Sequence, residues 1–406
     1  MKEYRRGQVL NAAIQIILVL VLISCPKSPT DPEDIVEVDP REIVVTVFPD
    51  IGTNATHFQP NEYIVADSDT IQIGENYQIR CDYDGDGVAD TEWLDTIPRT
   101  PLYSTHGKHR LSIEIQHSTG SVDNAYCEIY VQNLIEVTPP NISGEYENNI
   151  DWSRDGTNRI AYDAYGGELG ANQSIFVMDY PSGTPIKISS SPNPGEYFFD
   201  QFPEWSPDGD KIVCSSSNGL DLITVGNGHR TTLIAEAGST MKSWSPDGRW
   251  LIYWGGSGGR GATYVYDFDT DSSLPLFENM GYAAWSPDGT QIAISEMVGP
   301  DQAGSFFKII DFASGDTLAA IQISNPGDKL DWSPDGKWIS MGFDNKKVLS
   351  LFHIETGKIL TFQPDPLTWC WWPSWSEDGT ILAFEGQEAG GGVHLSIWAI
   401  EFPVEL

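Results

Sequence analysis

The sequence predicts an all-β protein, a six-bladed β-propeller preceded by a small β-sandwich. A turn motif built on Trp-Ser-Pro-Asp-Gly recurs six times, beginning at Trp152, Trp205, Trp244, Trp285, Trp332 and Trp375. The tryptophans are 53, 39, 41, 47 and 43 residues apart, the length of one four-stranded blade. Upstream, residues 43–132 read as short period-two segments separated by polar turns, the pattern of half-buried strands.

The chain opens with the parts of an export signal: Lys2, Arg5 and Arg6, then an apolar run from Ala12 to Ile23, then the small Ser24. That run is interrupted by Gln15 and is well short of the roughly 20 residues a membrane-spanning helix needs. Leu22-Ile23-Ser24-Cys25 resembles the bacterial lipobox, which implies that residues 1–24 are removed and that Cys25 is diacylated as the new N-terminus. Residues 25–40 are rich in Pro, Asp and Glu and read as an extended acidic tether. With 58 acidic and 23 basic side chains the formal charge is −35, which opposes docking on phosphate backbones or anionic lipid headgroups. Nucleic acid is excluded as a partner on that ground, and membrane contact is expected through the lipid alone. The expected product is a soluble, monomeric body tethered in the cell envelope.

Residues 41–133 carry the predicted sandwich, with strands such as Ile43–Val47, Tyr77–Cys81, Leu111–Ile115 and Tyr126–Val131. Tyr77 to Trp93 resembles the polycystic-kidney-disease (PKD) type of Ig-like domain, and Tyr103, Gly107, Leu111 and Ile113 fall near that family's second motif, with Cys81 where a tryptophan is common. The resemblance implies an extracytoplasmic spacer or adhesion-type module. Within it, Asp82, Asp84, Asp86 and Asp90 surround Gly87 as in the first half of an EF-hand loop, while the twelfth position holds Trp93 in place of glutamate. Two readings stand: a calcium site, or a solvated Asp/Gly turn. No cofactor other than calcium is expected. Cys81 and Cys127 share this domain and sequence alone leaves their pairing open, whereas Cys214 and Cys370 fall in blades two and six and are expected as buried thiols.

In the repeats, proline presets the turn, aspartate hydrogen-bonds nearby backbone, glycine takes the positive φ that ends the turn, and tryptophan fills the core between blades. A second strand follows each copy, as in Lys211–Cys214 or Ile381–Phe384, and hairpins on Gly or Asp turns complete each blade. After Trp375 only two strands remain, so the sixth blade lacks its outermost one. Leu134 to Tyr146 parallels Pro185 to Tyr197, the outer strand of blade one and its exit, so residues 134–140 are expected to close the ring. The propeller therefore spans residues 134–406. These repeats look like the TolB-type (WD40-like) propeller repeat, which implies six blades in an envelope protein that binds partner proteins. The α/β domain that precedes the propeller in TolB is replaced here by the PKD-like module.

No catalytic residues are assigned. Ser257 in Gly255–Gly259 and the glycines at 256, 258 and 261 match nucleophile-elbow and dinucleotide patterns only nominally, lying between two strands with no helix following, and read as a blade loop. His229, His353 and His394 are assigned to a hairpin turn of blade two and to third strands of blades four and six, too scattered for a metal site. Trp369, Trp371 and Trp372 form the best binding candidate, set against the alternative that they pack between blades. The expected function is a lipid-anchored recognition scaffold for an envelope protein or glycan. The alternative is a carbohydrate-active lyase or hydrolase using carboxylates in the channel.

Overall fold

In the computed structural model the described residues are 43–48, 51–53, 59–65, 77–94, 102, 107–117, 120–132, 134–138, 147–165, 172–189, 198–235, 241–255, 262–277, 281–296, 306–322, 329–343, 348–362, 367–388 and 395–402. The signal, Cys25, the tether, the glycine loop around Ser257, and His394 lie outside them.

Six strands precede the repeats: β1 (Ile43–Phe48), β2 (Ile51–Thr53), β3 (Gln59–Val65), β4 (Tyr77–Asp82), β5 (Gly107–His117) and β6 (Val122–Gln132). β1 pairs with β3, while β2, β6, β5 and β4 form a second layer in that order. The inward residues of that layer, Ile79, Cys81, Leu111, Ile113, Ile115, Ile129 and Val131, are buried; on β5 they alternate with the half-buried Ser112, Glu114 and Gln116, as period two requires, whereas at the end of β6 Tyr130 and Gln132 are buried as well. β4 and β6 flank β5, with Cys81 opposite Ile113 and Cys127 opposite Leu111. Two strand spacings, with a further two-residue offset along β5, put the two cysteine backbones more than about 9–10 Å apart, beyond disulfide reach. Cys81, Cys214 and Cys370 are buried thiols outside any disulfide.

After β7 (Leu134–Glu136) the chain is a series of four-stranded antiparallel units. Unit one contains β8 (Glu147–Trp152), β9 (Arg159–Tyr165), β10 (Gln173–Asp179) and β11 (Ile186–Lys187). Unit two contains β12 (Asp200–Trp205), β13 (Lys211–Ser216), β14 (Gly219–Thr224) and β15 (Arg230–Ala235). Unit three contains β16 (Lys242–Trp244), β17 (Trp250–Gly255), β18 (Ala262–Asp267) and β19 (Ser272–Phe277). Unit four contains β20 (Gly281–Trp285), β21 (Gln291–Glu296), β22 (Phe306–Asp311) and β23 (Thr317–Gln322). Unit five contains β24 (Leu330–Trp332), β25 (Trp338–Phe343), β26 (Val348–His353) and β27 (Ile359–Phe362). The last unit joins β28 (Leu367–Trp375), β29 (Ile381–Glu388) and β30 (Ser396–Glu401) to β7, which pairs with β30 from the other end of the chain. First strands neighbour one another in chain order, and β28 returns to β8. Repeated four-stranded sheets in this arrangement make a β-propeller.

Each motif does the local work its residues predict. In units two to six the serine hydroxyl donates to the aspartate two residues on, at 2.5–2.7 Å. The same serine oxygen accepts the N–H of the residue five on, at 2.8–3.0 Å. The six motif glycines have φ between 70° and 79°, a region costly for residues with a Cβ. Trp152 and Trp375 are fully buried between units.

The strands that precede the repeats are joined to the propeller rather than strung before it. β2 runs parallel to β6 and meets β27 through Ile51 opposite Phe362, so unit five and the second layer make one eight-stranded sheet. Tyr130 of β6 packs in the same core as Leu349, Leu360 and Phe362.

Candidate functional site

Positions counted from each motif tryptophan place side chains in three layers along the propeller axis. Three residues before it stand Asn149, Phe202, Met241, Tyr282, Lys329 and Trp372, which together line one end of the channel. One residue before it stand Asp151, Glu204, Ser243, Ala284, Asp331 and Ser374. Two residues after it, at the proline position, stand Arg154, Pro207, Pro246, Pro287, Pro334 and Glu377, which form a rim. The two copies that depart from proline thus supply the rim's two charges.

The first layer closes the channel. Phe202 and Trp372 hold positive φ (55° and 52°), as does Asn149 (54°), and the strand register slips at all three. Such bulges re-aim a side chain. They bring the Trp372 ring to 5.0 Å from Phe202 and 6.1 Å from Tyr282, across three non-adjacent units. Only about 20 Å³ remains at this end, room for about one water. Between the middle layer and the rim lies a cavity of about 320 Å³. The channel is therefore a cup with an aromatic floor and a rim of motif turns.

The middle layer also ties the units together. Asp151, Ser243, Asp331 and Ser374 each accept the backbone N–H of the next unit's motif tryptophan, from Trp205, Trp285, Trp375 and Trp152, at 2.7–3.2 Å. Asp151 also pairs with Lys329 at 3.1 Å, and Lys329 donates to the Ile150 carbonyl at 2.9 Å. Arg154 reaches from the rim to Asp331, one guanidinium nitrogen lying 2.9 Å from both carboxylate oxygens. Glu377 accepts the Gly156 N–H. The remaining carboxyl, Glu204, makes no hydrogen bond or ion pair among the described residues, and it alone lines both the floor and the cup. Burial and the nearby Asp151 push its pKa well up. Burial lowers Lys242 to about 8. It also works against the charge of Lys329, but Asp151, Glu204 and Asp331 outweigh it and leave that ammonium firmly protonated.

Behind the floor, fully buried Asp163 accepts from Asn149 Nδ2 at 2.7 Å and from the Phe202 N–H at 2.9 Å, and Gln173 donates to its other oxygen. Burial pushes Asp163 up to about 7. Because its folded pKa exceeds the unfolded value of about 3.9, the fold favours the protonated form. That contribution is whole below about pH 4 and lost as pH rises through about 7. Asp163→Asn, which keeps one acceptor oxygen, is expected to flatten the fall in Tm between about pH 5 and pH 8. Equal slopes for the two proteins in thermal melts would rule this out.

The tryptophan trio separates. Trp372 enters the floor, whereas Trp369 and Trp371 lie against each other with ring centroids 5.0 Å apart and planes tilted by 33°, half-buried on β28. His229 is exposed in the turn after β14, and His353 lies at the end of β26 against Trp338, in unit five rather than the fourth. Gly255 and Ala262 end adjacent strands of unit three, so the glycine run connects a hairpin.

In the loop after β4, oxygens of Asp82, Asp84 and Asp86 lie within 4.8 Å of one another, the one such cluster among the described residues. Asp82 accepts the Gly85 and Gly87 N–H groups at 2.7 and 3.0 Å, and Asp90 accepts the Tyr83 N–H at 2.7 Å. Trp93, at the twelfth position, lies under the Arg80 guanidinium at 4.7 Å.

No protein-family model matches the chain, and no curated protein matches it. Among solved structures it is similar to TolB from Acinetobacter baumannii, at 17% identity and TM-score 0.46, over 74% of this chain and 77% of that one. An oligogalacturonate lyase in complex with manganese matches at 11% identity and TM-score 0.47, over 75% and 99%. Regucalcin, a calcium-binding protein from Agrobacterium tumefaciens, matches at 14% and 0.47, over 63% and 89%. These are likenesses of architecture, and they carry no ligand or activity to this chain.

Proposed function

We propose that this chain is a lipid-anchored recognition protein of the bacterial cell envelope, in which a PKD-like module and a six-bladed, TolB-like propeller (residues 134–406) present one binding cup to a protein or glycan partner. The observation that carries the reading is the state of the cup's carboxylates. Asp151 and Asp331 are committed to Lys329, Arg154 and the backbone of neighbouring units, so they hold the ring together, while the space above them stays open. A built, mostly pre-formed concavity with few unengaged polar groups is the form of a binding site. The export signal and Cys25 support the location, and the acidic surface keeps the tethered body off anionic lipid.

One observation favours a second reading, carbohydrate chemistry in the channel. Glu204 has a raised pKa beside the ion-paired Asp151, the environment that separates an acid from a carboxylate. Affinity capture with the intact lipoprotein from its native envelope, run beside turnover of a polysaccharide panel, separates the two. A stable partner without turnover supports recognition; turnover with no partner recovered overturns it.

Calcium is proposed in the Asp82 loop as a structural ion, with Asp82, Asp84 and Asp86 as ligands and Asp90 bracing the loop through Tyr83. Lacking a bidentate glutamate at the twelfth position, the loop is expected to bind weakly, in the range of about 10⁻⁴–10⁻³ M. Calorimetric titration should show heat in that range and none for a variant combining Asp84→Asn with Asp86→Asn. A flat trace for the native chain would remove calcium from the account.

A further inference from the structure

The charges of the cup nearly cancel, and the remainder has a sign. Asp151 is matched by Lys329 and Asp331 by Arg154. Lys242, the other cation near the floor, donates to Ser215 at 3.1 Å with its ammonium over the Phe202 ring. What is left over is Glu204, which makes no hydrogen bond or ion pair among the described residues although Lys329 and Lys242 lie near enough to favour its charge, together with Glu377 at the rim. An enclosed carboxyl with no hydrogen bond either holds a proton or awaits a cation. The whole chain, at −35, draws cations toward such a cleft.

The walls narrow the kind of cation. Four rim prolines, Pro207, Pro246, Pro287 and Pro334, offer apolar ring faces with no side-chain donors or acceptors, a lining suited to a methylene stem, beside the polar Arg154, Ser286 and Glu377. The motif indole N–H groups of Trp152, Trp205, Trp244 and Trp285 are shielded from the space and unpaired, so they offer nothing to an acceptor-rich ligand. The volume of about 320 Å³ is at the small end of ligand pockets. One carboxyl can hold an ammonium or, in a bidentate pair, a guanidinium, and the small volume favours the more compact ammonium.

We propose that the cup receives a primary alkyl-ammonium group, with Glu204 as its counter-ion and the rim prolines along its stem. The proposal rests on the reading of the cup as the recognition site. A lysine side chain presented by a partner and a free aliphatic diamine share this chemistry.

The test is binding to the intact chain, measured by calorimetry or ligand-observed NMR, of three probes: lysine capped at both backbone ends, the same compound acetylated on its side-chain nitrogen, and 1,5-diaminopentane. Capped lysine, the diamine or both should bind, the acetylated compound should not, and Glu204→Gln should weaken binding by about tenfold or more. The tighter of the two amines identifies the source. Binding should also strengthen as pH rises above the ordinary carboxylate range, because the cation favours ionised Glu204. Asp151, Asp331, Lys329 and Lys242 face that carboxyl and set where the rise falls. Glu204→Gln removes no hydrogen bond and should fold; were it not to, the pH profile of the native chain decides. Equal binding of the acetylated probe, a Glu204→Gln variant that binds as tightly as the native chain, or no binding of either amine overturns the proposal. If the amines fail while a block at the rim still prevents partner capture, recognition at the cup stands and the ammonium falls. If the rim block leaves capture unchanged, the cup itself is the wrong site.

Discussion

A propeller beginning at Asn141 is expected to melt roughly 10–20 °C below one beginning at Leu134, because it lacks the strand that closes the ring. β7 pairs through Leu134, Ile135 and Glu136 with Ile400, Ala399 and Trp398. Beyond it the Val137 N–H donates to the Ile397 carbonyl at 2.8 Å, and the Ile397 N–H donates to the Thr138 hydroxyl at 3.1 Å. Val137 is buried with Ile150, Trp152 and Ile397, and Leu134 is half-buried against the last unit's core. One full and two partial aliphatic burials come to about 4 kcal/mol, and the exposed edge of β30 adds unpaired backbone. Both fragments lack the sandwich, so Tyr130 does not confound the comparison. Coincident melts would show that the ring closes without β7.

The second large effect is expected at Asp331. Its carboxylate takes the Arg154 guanidinium on one side and the Trp375 N–H at 2.7 Å on the other. Asp331→Ala strands both, a guanidinium facing the cup and a buried amide between units. The expected loss is about 3–4 kcal/mol by denaturant unfolding, near the lower end for a broken buried pair because the Arg154 side chain keeps some solvent. Removing Arg154 as well should return part of that loss, since the stranded charge goes with it, while the Trp375 amide stays unpaired. A single variant within about 1 kcal/mol of the native chain would mean that the layer before each tryptophan does not bind the units together.

The contrast between these positions explains what was legible in the sequence. Trp, Ser, Pro, Asp and Gly recur because every unit needs the same turn, so the same residues return and the repeat announces itself. The closing strand was legible for a related reason: Leu134 to Tyr146 repeats the text of an outer strand. The channel layers carry no such repetition. Asn149, Phe202, Met241, Tyr282, Lys329 and Trp372 occupy equivalent positions yet share no chemistry, because the layer that closes the channel is built once from six different parts. Their signal was an offset, three residues before each tryptophan, and only the axis gives that offset meaning. Arg154 and Glu377 were visible as departures from proline, and their placement at one rim follows from the motif's own geometry.

Alternation also misled in places. Period two groups Trp369 with Trp371, whose rings do meet, but the slip before Ser374 and the positive φ of Trp372 turn that ring into the channel floor. A bulge is a local backbone choice with no residue signature on β28. Cys81 and Cys127 were left open by their number, and register separates them, since β5 lies between their strands. The Asp82 loop was readable because its turn chemistry is local: Asp84 and Asp86 accept N–H groups two residues on, at 3.1 and 2.7 Å, and curl the loop themselves.

The central claim is that the partner is received at the rim of the cup, and a bulky label placed there tests it most directly. Pro246→Cys puts a thiol on the exposed rim, and Leu274→Cys puts one on the exposed outer strand of the same unit. Each variant, labelled with a large maleimide, is assayed for capture of the partner from the native envelope. Capture should be lost with the label at position 246 and kept with the label at position 274. The reverse result, capture surviving a blocked rim and failing with a blocked flank, would contradict the account.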